Sequence, residues 1–308
     1  MTAAPDDALE RLDVRIRTLL PEDYQASYQD LQPVPMRSAG LVYGDDRRVA
    51  WDRIWGSFCD LAMAGGPPHK GRLLAPGAPD EIAAHPERYD EVVEEICRGV
   101  WLAAALEARP SPDPGWVRVR CFGEPMAGWL LRAITMENVA VRGERATLDL
   151  PASPAFRLER EIKNVVTVIA KTTHYWMGHM PQSQQRAIAA LFAELAATTP
   201  LLRPSGGPAD EPLAGTIAAA ILDRTGLARA EHDAPGWLGL ACASVGDAIW
   251  RMRALVASNV LARREGTTLL VPIDPVADPD GTRVVAAVAD VHELAAVAAG
   301  ASRRHEQG

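Results

Sequence analysis

Two segments of this chain concentrate side chains able to move protons or hold ions. The first is Gly65-Gly-Pro-Pro-His-Lys-Gly71. Its glycines and prolines predict a stiff, exposed loop presenting His69 and Lys70. Amides at Gly65 and Gly66, together with Lys70, suit a carboxylate or phosphate. The GxxxxGK[ST] spacing of a nucleotide-binding loop is absent. The competing reading is a helix stop followed by a rigid connector.

The second segment runs from Glu161-Ile-Lys163-Asn164 through Lys171-Thr-Thr-His174-Tyr-Trp-Met-Gly-His179. A helix committed to burial has little need of so many reactive types. His69, His174, Tyr175 and Lys171 are the candidate catalytic groups, with one histidine as general acid or base. His174 and His179 also form a candidate metal pair, and a divalent cation is the cofactor they suggest. A spacing of five turns two side chains about 140° apart on an ideal helix, whereas ligand pairs favour three or four. Gly178 offers a break that would bring them together. The competing role for both is that of hydrogen-bonded structural histidines.

Other signals are weaker. Asp274, Asp278 and Asp280-Gly281 have the flavour of a calcium loop, but Pro275, Pro279 and a missing glutamate argue against an EF-hand. Cys121 and Cys242 read as buried structural thiols. GxSxG, HExxH and GxGxxG motifs are absent, which excludes the commonest motif-bearing enzyme classes.

The elements that must position these residues come largely from a repeat. Pro114 to Pro151 matches Pro235 to Pro272 at a constant offset of 121, with fifteen identities in thirty-eight ungapped pairs. Trp116/Trp237, Cys121/Cys242, Trp129/Trp250, Arg132/Arg253, Asn138/Asn259 and Arg142/Arg263 are among them. In the first copy, Trp116 to Cys121 alternates like a half-buried strand. Glu124 to Glu137 shows a helical apolar stripe, and Asn138 suits the left-handed residue that ends a helix. Two short strands then flank a turn at Gly143 to Arg145. The second copy repeats these roles, with its helix at Val245 to Ser258. Upstream, Ile96 to Leu106 aligns with Ile217 to Leu227, so each copy is expected to begin with a helix. The fold expected is α+β: duplicated helix-strand-helix-strand-strand units about a pseudo-twofold, with helices on antiparallel sheets. Arg132 and Arg253 either serve the fold, with Arg132 or Arg142 pairing Glu144, or meet near the axis and bind an anion.

Further helices are expected at Asp7 to Leu20, Asp52 to Ala64, Pro79 to Ala84, Glu87 to Ala108, Phe156 to Met180, Pro181 to Ala197, and Val284 to Ala299 with Gly300 as stop. Gln25 to Gly44 reads as loop and Leu201 to Pro212 as linker. The expected division is an arm at 1–45, halves at 46–155 and 156–300, and a disordered tail at 301–308.

A net charge of −8 and a pI near 5.4 argue against a nucleic-acid partner. Neither a secretory signal nor a membrane-length apolar run is present, and four scattered cysteines suggest reduced thiols in the cytoplasm. The functional expectation is a cytoplasmic protein, enzyme or chelator, that takes a small anionic molecule in a cleft between the halves, with a homodimer allowed. The alternative is a non-catalytic assembly module using its sheet or C-terminal helix.

Overall fold

Trp116-Val-Arg-Val-Arg120 places Val117 and Val119 on one face and leaves its arginines on the other, and both valines are fully buried. That strand and its partners organise the first of two compact units. The computed structural model describes residues 5–26, 28, 40–57, 60–206, 210–232 and 234–305. One unit comprises Pro21–Ile188, and the other combines Met1–Leu20 with Ala189–Gly308. The division falls inside a helix beyond the expected boundary at 155, because the helix after the first copy packs back on the helices of that copy.

In the 21–188 unit, the short α2 (Glu22–Gln25) precedes two tight turns at Trp51–Ser57 and Ala62–Ala64. The single helix expected over 52–64 is therefore not formed. Leu61 is extended, and the Ala62 N–H is taken sideways by a side chain, which breaks the helical ladder there. The loop expected over 25–44 lies mostly outside the described residues. Next come α3 (Pro79–Ala84), α4 (Pro86–Ala104), β1 (Glu107–Pro110), β2 (Trp116–Arg120), α5 (Glu124–Met136), β3 (Arg142–Glu144) and β4 (Thr147–Pro151). A wide helical turn at Leu158–Ile162 leads into α6 (Lys163–Gly178), and α7 (Gln182–Thr198) crosses the unit boundary.

Helix α4 stops short of Ala108 because Ala105 turns left-handed, φ 53°, and frees the chain to pair as β1. The sheet has the order β1-β2-β4-β3 and every pairing is antiparallel. Val117, Val119, Leu148 and Leu150 line its inner face, against which α4 and α5 pack. α6 lies on α4 and α5 in turn. The α4–α6 approach depends on Gly99: a Cβ there would stand 2.5 Å from Val166 Cγ2. Trp129 of α5 is fully buried, with its ring 5.8 Å from that of Trp176.

The other unit contains α1 (Pro5–Leu19), α8 (Glu211–Thr225), β5 (Arg229–Ala230), β6 (Trp237–Ala241), α9 (Val245–Ala257), β7 (Arg263–Glu265), β8 (Thr268–Pro272) and α10 (Thr282–His305). Its sheet order, β5-β6-β8-β7, is that of the first sheet, and its strands and α9 sit 121 positions on. Trp116 pairs with Pro151 as Trp237 does with Pro272. Arg142 stacks on Trp116 at 4.6 Å and Arg263 on Trp237 at 4.9 Å. Asn138 and Asn259 both adopt left-handed conformations, φ 60° and 64°. Their Nδ2 groups donate to Lys70 O at 2.8 Å and Thr199 O at 2.7 Å. α1 packs on α9 and α10, and Arg15 pairs with Glu194 at 2.6 Å.

α10 continues through Gly300 to His305: alanine on both sides carries the helix across one glycine. Residues 301–305 of the expected tail are thus helical, and 306–308 lie outside the described residues, as do 207–209 of the expected linker. The arginine pairing also departs from expectation in one copy. Arg263 pairs with Glu265 at 2.6 Å, but the matching Arg142 turns from Glu144 to Asp149 and Asp113. Leu270 replaces Asp149 in the second sheet, so the stronger partner exists only in the first.

Candidate functional site

α6 carries two polar networks at successive turns of its C-terminal half, both inside the 21–188 unit. The first is buried. Lys171 Nζ lies 2.8 Å from Glu137 Oε1, and both side chains are 0% exposed. Glu137 follows the last residue of α5, where the chain ceases to be helical. Its Oε1 also accepts from the Ala62 N–H, and its Oε2 from the His69 N–H, each at 2.9 Å. The Lys70 N–H donates to the Glu137 carbonyl at 3.2 Å. The loop at 62–70 therefore does grip a carboxylate, and that carboxylate is Glu137.

The glycines serve that wrapping. Gly65 is left-handed, φ 105°, and donates its N–H to Ala62 O, while the Gly66 N–H goes to Leu61 O. A Cβ on Gly66 would lie 2.5 Å from Asp60 O. Both amides expected to hold a ligand are thus engaged within the turn.

His69 sits against this pair with its Nδ1 buried and without a hydrogen-bond partner. Burial and then the Lys171 charge push its pKa down to about 3, against a hydrogen bond that the ring donates to Asn164, with Lys70 and Lys163 adding to the depression. The ring is neutral through the physiological range. Lys163 is also held below the usual ammonium range by burial.

The second network is partly exposed. α6 ends at Gly178, and His179 leaves the helix with φ −117° and ψ 0°. The break brings His179 Nε2 to 3.2 Å from His174 Nε2, with ring centroids 4.9 Å apart. His179 Nδ1 stands 2.6 Å from Asp23 Oδ2, on α2. An ionised carboxylate only accepts, so Nδ1 of His179 carries a proton. Its Nε2 then shares one further proton with His174 Nε2. Burial and the His179 charge hold His174 below the ordinary histidine pKa.

Tyr175 lies beside this chain, with its ring 5.0 Å from His179 and 6.0 Å from His174. Its hydroxyl is 2.7 Å from that of Tyr24, which is 2.9 Å from Asp60 Oδ1. Burial, then the contacts to Tyr175 and Asp60, push the Tyr24 pKa far up. Tyr24 therefore stays protonated and donates to Asp60, which leaves Tyr175 as the donor to Tyr24.

The sequence-flagged residues thus separate into two groups: His69, Lys70 and Lys171 around Glu137, and His174, Tyr175 and His179 around Asp23 and Tyr24. All belong to one compact unit rather than to two halves. His174 and His179 offer two nitrogens, with Asp23 on the far side of the His179 ring as its orienter. Among the described residues no group of three or more His, Cys, Asp or Glu is placed to hold a metal ion.

Arg132 and Arg253 occupy matching buried positions on α5 and α9, one in each unit. Arg132 Nη1 donates to Gly128 O at 2.8 Å, and burial lowers its pKa to about 10. The aspartates after β8 are local caps. Asp274 accepts from the N–H groups of Val276 and Ala277, Asp278 from those of Arg283 and Val284, and Asp280 from Thr282.

Glu137, Asp23, Tyr24 and Asp60 were not singled out in the sequence. Glu137 left one trace, since the otherwise matching copy has Ser258 at its position. No protein-family model, no curated protein and no solved structure matches the chain.

Proposed function

We propose that this protein binds a small anionic molecule in the 21–188 unit and carries out acid–base chemistry on it. The reading rests on one observation: the aligned Asp23–His179–His174 chain. Asp23 fixes the His179 tautomer, and His174 receives a proton from the ligand as its own Nε2 proton passes to His179 Nε2, so the positive charge settles on the ring beside Asp23. Reversal of the same steps makes His174 the acid. Burial keeps His174 neutral near pH 7, the state a base requires. Tyr175 lies beside both histidine rings, with its hydroxyl proton committed to Tyr24, and its ring walls the ligand's approach. A reducing, cytoplasmic setting fits free thiols at Cys97, Cys121 and Cys242, and no described helix is long and apolar enough to cross a membrane. We read the matched sheets as the product of an internal duplication, with the reactive groups added to one copy.

The test is histidine NMR across pH on wild type and Asp23→Asn, with native mass spectrometry for retained ligand. In wild type, His179 should show an Nδ1-protonated tautomer, and Asp23→Asn should abolish that preference and shift the His174 titration. Ligand retention should fail in His174→Ala. Identical titrations in wild type and Asp23→Asn would end the proposal.

A second reading, a protein–protein contact module, is favoured by Trp101, Leu102 and Phe122, which are exposed on the same unit. Self-association that is lost in Trp101→Ser, measured by light scattering, would support it.

A further inference from the structure

The outer face of the first sheet bears a row of charge that its sheet-forming role does not explain. Antiparallel pairing sets Arg109 directly opposite Arg118, and Glu107 opposite Arg120. Arg118 is held by Asp149 through Nε at 2.8 Å and Nη2 at 2.9 Å, and Asp149 also receives Arg142 at 3.0 Å. Arg120 reaches Glu107 only at 3.8 Å, with both side chains well exposed. Arg109 has no carboxylate at ion-pair distance among the described residues. Like charges directly opposite on neighbouring strands destabilise a sheet.

The second sheet is an internal control. At the matching positions it carries Ala230 opposite Gly239, Ala241 for Arg120 and Leu270 for Asp149, yet it forms the same pairing in the same register. Arginines at 109, 118 and 120 are therefore not needed to build this sheet. They surround an open hollow of about 270 Å³ lined by Glu107, Arg109, Arg118, Arg120, Ala146 and Thr147. Three guanidinium groups face one lining carboxylate, and Asp149 beyond the wall offsets one of them. A surplus of positive charge remains, in a chain whose net charge is −8.

We propose that this hollow is a binding site for a compact oxyanion, a phosphate or carboxylate group of a small molecule, with Arg109 and Arg120 as its principal donors. The guanidinium fork matches either group with two parallel hydrogen bonds. The volume suits a metabolite-sized anion rather than a folded partner. An anion between Arg109 and Arg118 removes the cross-strand repulsion. This site is independent of the Asp23–His179–His174 chain and stands or falls without it.

The experiment is calorimetry and thermal melting of the full chain at low ionic strength with orthophosphate, pyrophosphate, succinate and hexaglutamate. Wild type is compared with Arg109→Ala, and with Arg186→Ala, at an exposed position of α7, as a charge-matched control. Pyrophosphate or succinate should bind wild type saturably and raise its melting temperature. Arg109→Ala should weaken that binding at least about tenfold, the loss of one charge-assisted pair, while Arg186→Ala retains it. Without ligand, Arg109→Ala should melt at or above wild type, because it relieves repulsion. Orthophosphate binding without pyrophosphate or succinate binding would identify a free phosphate site and support the proposal. No saturable binding, equal weakening in both variants, or a ligand-free Arg109→Ala protein that melts below wild type would overturn it. Tighter binding of hexaglutamate than of any small anion would overturn it in favour of an acidic protein partner.

Discussion

His69 gives the structure a specific acid sensitivity. Its folded-state pKa lies near 3, against 6.5 for a free histidine, because the ring is buried beside Lys171, Lys70 and Lys163, with only Asn164 favouring the charged form. The unfolded chain therefore takes up a proton as pH falls through 6.5, and the folded chain does not until about 3. Stability is full above pH 6.5 and declines as the pH falls from there toward 3. Each unit of that window is worth about 1.4 kcal/mol. Acidification from pH 6.5 to 4.5 gives a ceiling of about 2.7 kcal/mol, and the partial exposure of His69 reduces the expected effect to about 2 kcal/mol. The perturbation is His69→Gln, which keeps the backbone N–H on Glu137 and offers Asn164 an amide. The assay is urea unfolding at pH 6.5 and 4.5. Carboxylates titrate in both proteins, so the difference between their pH slopes isolates the histidine. His69→Gln should lose about 2 kcal/mol less than wild type over this interval. Equal losses would refute the placement of His69 as a buried neutral ring against Lys171.

Three further outcomes follow from the packing. Glu137→Gln leaves the Lys171 charge buried without its counter-charge and should cost about 3 to 5 kcal/mol in urea unfolding. The double variant Glu137→Gln/Lys171→Met should recover more than half of that loss. Asn138→Ala and Asn259→Ala should each cost about 1 to 3 kcal/mol by calorimetric melting, because each forces alanine left-handed and removes a side-chain hydrogen bond. The matching glycine variants should cost less. Gly99→Ala improves helix propensity by about 1 kcal/mol, yet the clash with Val166 should make the net change destabilising by about 1 to 3 kcal/mol. A stabilised Gly99→Ala protein would show that α4 and α6 are further apart than described.

What was legible in the sequence is what local chemistry determines. Val117 and Val119 alternate with charged neighbours, so β2 declared itself, and Pro79 set the start of α3. Asn138 and Asn259 were readable as left-handed helix ends because few residues other than glycine tolerate that conformation. β1 was missed because Glu107-Ala-Arg-Pro110 has no apolar alternation and continues a helix-favouring stretch. Only its pairing with β2 makes it a strand. The same limit applies to the site. Lys171 and His69 drew notice as reactive types in unusual company, but Glu137, which joins them, looks like any glutamate at the end of a helix. Asp23 orients His179 from an element of four residues with no periodicity to detect. Gly65 and Gly66 were recognised as special, though for a ligand rather than for the turn they allow around Glu137. Cross-strand position separates Arg109 and Arg118 from the other arginines, and that becomes visible only once the register is known.

The membership of α1 in the unit formed by Ala189–Gly308 bears on how the chain is made. Residues 21–188 are contiguous and can complete their own core during translation. α1 leaves the ribosome before them, while its partners α9 and α10 come near the end of synthesis. Its apolar stripe, with Leu12, Ile16 and Leu19, must therefore wait in water or on a chaperone until the last helices arrive. Nascent chains halted before α9 should expose that stripe to a holdase, and full-length chains should conceal it.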